Sequence, residues 1–118
     1  MAGGLTLSTL NDSSGVLATQ NGMSGIAKAW VQFNGVTTAT INGSFNVSSV
    51  TRNSTGNYTV TFTNAMKNAN YAATYQSNNG ARLTWFDTFT TTSINVYDYT
   101  IGSGYADVNL NCVVIFSS

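Results

Sequence analysis

The chain has no histidine, no glutamate and no proline, and only 7% of its 118 residues carry charge. Without histidine and glutamate, the commonest general acids, bases and metal ligands are missing. The groups left for such chemistry are Asp12, Asp87, Asp98, Asp107, Lys28, Lys67 and Cys112, each isolated along the sequence. Glycoside hydrolysis needs paired carboxylates tuned in a cleft, and so scattered a set does not suggest them. The composition argues against an enzyme and against a resident cofactor. No Asp-x-Asp-x-Asp-Gly loop is present, which excludes an EF-hand; an irregular calcium site of one aspartate and several carbonyls stays open.

A single cysteine forms no internal disulfide. Cys112 alternates with Leu110, Val114 and Phe116 and reads as a small buried apolar side chain. With four positive and four negative residues, the net charge is zero. A basic stripe for nucleic acid is therefore excluded, and so is a polybasic membrane contact. No apolar stretch is long enough to span a bilayer, and residues 1–25 lack the basic start and apolar run of a secretory leader. So neutral a surface has little self-repulsion to keep copies apart, and a symmetric oligomer is expected.

What the chain has in excess is threonine, serine, asparagine, glycine, valine and aromatics, the residues of strands and tight turns. Residues 26–118 show period-two alternation almost throughout. In residues 26–33, Ala27, Ala29, Val31 and Phe33 share one face, and Ile26, Lys28, Trp30 and Gln32 share the other. Tyr58, Val60 and Phe62 alternate with threonines in residues 57–63. Further strands are predicted over 37–41, 44–51, 71–76, 82–89, 93–101 and 107–116. Asn34-Gly35 and Asn42-Gly43 are read as tight turns. The last strand is apolar on both faces towards its end and suits a central position. No window has helical periodicity. Seven or eight antiparallel strands imply an all-β sandwich or jelly-roll-like barrel over residues 26–118. Residues 1–25 cannot build a core alone. They form either an extended docking arm, with Leu5, Leu7 and Leu10 as its apolar contacts, or a flexible leader.

Two sets of side chains invite a functional reading. Tyr97, Tyr99 and Tyr105 are suited to stacking on sugar rings beside asparagine and aspartate, or to packing in the core or between subunits. Lys28 and Trp30 share a face that points outward if Ala27, Val31 and Phe33 point inward. They then mark a subunit interface, unless the strand is buried on both sides.

The segment Gly25-Ile26-Ala27-Lys28-Ala29-Trp30-Val31-Gln32-Phe33-Asn34-Gly35 resembles a signature of bacteriophage tail-fibre and virion structural proteins, roughly G-[LI]-A-K-A-W-V-x-F-[ND]-G. Residues 44–51 and 56–62 are similar to the same family's next hairpin. Ala65-Met66-Lys67-Asn68-Ala69-Asn70-Tyr71 resembles its M-P-[DN]-A-N-Y stretch, with Lys67 in place of the usual proline, and the last six residues resemble its chain terminus. The resemblance implies a non-enzymatic virion protein, a trimeric β-sandwich of tail-fibre type that contributes to host attachment. Its partners would be copies of itself, other virion proteins and a host-surface glycan or protein. In such fibres the variable middle segment generally carries the tip loops, which would turn residues 77–82 and 101–107 outward. Asn78, Asn79, Arg82, Tyr99 and Tyr105 are then the candidate receptor contacts. A head decoration protein that cements the capsid through its N-terminal arm is the alternative.

Overall fold

One way to bury the apolar face of alternating strands is to pair two sheets face to face, and the chain does this. The computed structural model describes residues 26–78 and 80–117. The arm positions Leu5, Leu7 and Leu10, and the loop residue Asn79, lie outside the described residues. Nine strands follow one another: β1 (Ala27–Asn34), β2 (Thr40–Phe45), β3 (Val47–Ser54), β4 (Asn57–Phe62), β5 (Ala72–Ser77), β6 (Arg82–Asp87), β7 (Ser93–Thr100), the two-residue β8 (Gly104–Tyr105) and β9 (Asn111–Phe116). One sheet has the order β2-β1-β9-β5. The other has the order β3-β4-β7-β6, with β8 paired to β7. All pairings are antiparallel. The protein is an all-β sandwich, with no helix among the described residues.

The alternation expected from the sequence sets the core. Ala29, Val31 and Phe33 of β1 meet Tyr58, Val60 and Phe62 of β4, with Ile94, Val96, Val113 and Ile115 from the central strands. Full burial of each larger side chain contributes about 1.5–3 kcal/mol. Phe33 and Tyr58 meet edge to face, with ring centroids 5.1 Å apart.

Several local expectations are corrected. Asn42-Gly43 is not a turn but lies inside β2, where the Trp30 ring crosses Gly43 at 3.5 Å from where a Cβ would stand. The chain instead crosses between sheets at one residue, Asn46, which takes a left-handed φ of 56°. Its amide donates to the carbonyl of Lys28, and its side-chain oxygen accepts from the Asn64 N–H. Gly35 is needed for space rather than for a tight turn: a Cβ there would lie 2.8 Å from Tyr58 Cε1.

The antiparallel order gives the sandwich two unlike ends. Strand β1 starts beside the end of β9, with Ala27 opposite Phe116. The connections 35–39, 55–56, 78–81, 101–103 and 106–110 gather at the other end. Backbone bonds tie them together: Gly35 N–H to Val108, Asn78 N–H to Leu110 and Ile101 N–H to Ala81.

Candidate functional site

Strand β6 pairs with β7 so that Trp85 faces Tyr97 and Leu83 faces Tyr99; β8 then sets Tyr105 opposite Tyr99. Because side chains alternate across a strand, all five project from the same side, the outer face of the second sheet. Trp85 and Tyr97 are stacked, 5.3 Å apart with a 5° interplanar angle. Tyr105 meets Tyr99 edge-on at 5.3 Å and lies 5.7 Å from Trp85. Trp85 is 36% and Tyr105 52% exposed, and Leu83 is more open still. Such pairs contribute about 0.5–1.5 kcal/mol beyond burial and fix ring orientation.

Beside the rings, the same face turns polar. Asn53 donates to Asn57 Oδ1 and Thr59 Oγ1, and Thr59 donates to Asn95 Oδ1. Between the two regions lies a groove of about 220 Å³ lined by Ser54, Thr55, Asn57, Tyr97 and Tyr105.

A second, more open cavity of about 390 Å³ occupies the loop end, lined by Val36, Asn78, Arg82, Asp107, Val108 and Asn109. Asp107 is its best-anchored group. Arg52 Nε and Nη2 reach Oδ2 at 2.9 and 2.8 Å, and the Gly56 N–H and Tyr58 hydroxyl reach Oδ1 at 3.0 and 2.8 Å. Burial pushes the Asp107 carboxyl upward, but Arg52, Gly56 and Tyr58 outweigh it and hold it below the usual carboxylate range. Arg82 points inward, 8% exposed in its side chain, with Nη1 3.5 Å from Oδ1 of fully buried Asp98. Burial raises the Asp98 carboxyl above its ordinary value despite that cation.

The expected contacts thus separate. Tyr99 and Tyr105 stand on the aromatic face, while Asn78 and Arg82 line the loop-end cavity. Arg82 is engaged with Asp98 rather than standing clear of the surface. Trp30 is outward and 41% exposed. Lys28 does not share that face: a bulge between Ala27 and Ala29 takes it out of alternation, and it is 1% exposed. Reading the strands singly missed Trp85 and Asn57. Counting the β6–β7 hairpin back from its turn pairs Trp85 with Tyr97 and would have exposed the cluster. No group of three metal-ligating side chains gathers among the described residues.

Comparison of the chain with protein-family models, with curated proteins and with solved structures finds no match.

Proposed function

We propose that this chain is a non-enzymatic structural module of a bacteriophage virion, of tail-fibre type, which assembles as a homotrimer and contributes to attachment at the host surface. The virion assignment is supported by the resemblance of residues 25–35, 44–51, 56–62 and 65–71 to that family. The attachment role is supported chiefly by one observation: a cluster of Trp85, Tyr97, Tyr99 and Tyr105 left on the outside of a sheet. Apolar area of this kind on an otherwise neutral, polar surface marks a contact site. The two unlike ends of the sandwich are compatible with the role, since β1 begins at the end opposite the five clustered connections.

The test is immunogold microscopy of phage particles released by the strain that encodes the chain. Gold at the distal end of a tail appendage is the expected result. Gold on the head would replace the tail-fibre reading with the decoration reading, and particles without gold would end both.

A further inference from the structure

We infer that the groove between the β3–β4 turn and Tyr105 is a subsite for one ring of an uncharged saccharide. Its volume of about 220 Å³ is of the order of a single sugar ring rather than a chain of them. Its lining of Ser54, Thr55, Asn57, Tyr97 and Tyr105 carries no formal charge. The nearest cation, Arg52, is committed to Asp107, and its Nη2 also donates to Thr55 Oγ1. An acidic sugar would find no counter-charge there, whereas a neutral ring needs none.

The lining supplies what a sugar ring requires. Tyr97 and Tyr105 offer aromatic surface to the C–H groups of a pyranose face, and their hydroxyls make no hydrogen bond among the described residues. Asn57 Oδ1 accepts from Asn53, which leaves both amide N–H groups as donors. Thr55 Oγ1 accepts from Arg52 and retains its own proton to donate. The groups are also held before any ligand arrives: Tyr97 by its stack on Trp85, Asn57 by Asn53, Thr55 by Arg52. Such preorganisation lowers the ordering cost of binding.

A second copy of the chain fits the groove less well. If the aromatic patch of a second copy covered the groove, Asn57 and Thr55 would face rings rather than hydrogen-bonding groups, and buried polar groups without hydrogen bonds are costly. One ring on an open face binds weakly, at about millimolar strength. Repetition in a trimer would raise avidity by about 10²–10⁴. The subsite rests on the attachment reading for its biological use, but not for its existence.

The test is an amide-resolved NMR titration of the full chain with methyl β-D-glucopyranoside, methyl α-D-galactopyranoside and N-acetyl-D-glucosamine, with N-acetylneuraminic acid as the charged comparison. Saturable shifts at Ser54, Thr55, Asn57, Tyr97 and Tyr105 with at least one neutral sugar, and none with the acid, are expected. Tyr105→Ala should weaken binding about tenfold or more. Asn57→Ala should weaken it as well, with amides remote from the groove unchanged as the check on folding. No saturable shift with any neutral sugar at about 100 mM overturns the subsite. So does a shift of the same amides with protein concentration alone, which would make the face a contact between copies. Sugar shifts without gold on particles would leave the subsite standing and remove the virion role; gold without sugar shifts would do the reverse.

Discussion

The Tyr58 hydroxyl lies 2.8 Å from Asp107 Oδ1, joining the middle of the core to the loop end. The same hydroxyl is 3.0 Å from the Gly35 carbonyl, so its single proton serves two acceptors in turn. Burial, and then the Asp107 carboxylate, hold the phenol well above its ordinary range. The Asp107 carboxylate thereby links β3, β4, the β3–β4 turn and the 106–110 segment. Asp107→Ala removes the acceptor of the Gly56 N–H and the ion-pair partner of Arg52, and leaves the Tyr58 hydroxyl only the Gly35 carbonyl. It should cost about 2–3 kcal/mol in urea unfolding at neutral pH, against about 1 kcal/mol for Tyr58→Phe, which removes only one donor. Equal costs for the two would show that Asp107 is not the hub.

Asp107 and Asp98 set opposite pH dependences. The Asp107 carboxyl is held low in the fold. Its contribution is present above the unfolded value of about 3.9 and is lost as pH falls through the folded value. The Asp98 carboxyl is raised. The folded chain keeps that proton where the unfolded chain has released it, so stability declines as pH rises from about 3.9 through the folded value. The stability maximum should fall on the acid side of neutral. Asp107→Asn should flatten the acid limb, and Asp98→Asn should flatten the decline towards neutral. Urea midpoints across pH 3–7, taken as an order-of-magnitude window, read both.

Gly56 holds φ at +67°, and a Cβ there would stand 2.9 Å from the Ala106 nitrogen. Its carbonyl accepts from the Asp98 N–H. Gly56→Ala meets both strain and backbone collision and should cost about 2–4 kcal/mol. Hydrogen exchange should quicken first at Asp98 and Ala106. A cost below about 0.5 kcal/mol would mean that the turn adapts freely.

If the chain trimerises through the outer face of the first sheet, half-exposed Trp30 lies at the contact. Sedimentation equilibrium should give three times the 12.5 kDa chain mass. Trp30→Asp should shift the wild-type trimer towards monomer without changing its far-ultraviolet circular dichroism. A wild-type monomer at all concentrations would remove the trimer.

The strand content was legible because alternation needs only neighbours. Tyr58, Val60 and Phe62 share one face in the sequence alternation, and that face is buried. Features that depend on a partner strand were not. The bulge that hides Lys28 exists only against β9, and Gly43 joins β2 because β1 pairs across it. Asn46 resembles any other asparagine until the chain must change sheets in one residue. The tyrosines were visible as candidates, but the stack of Tyr97 on Trp85 depends on register, which no single strand contains.

The clustering of five connections at one pole also has an evolutionary side. Lengthening or rewriting any of them alters what that pole presents, while Ala27 and Phe116 keep their pairing at the other. Loops tolerate such change far better than paired strands. The layout lets the loop pole change its shape quickly while the strand pairing at the opposite pole stays constant.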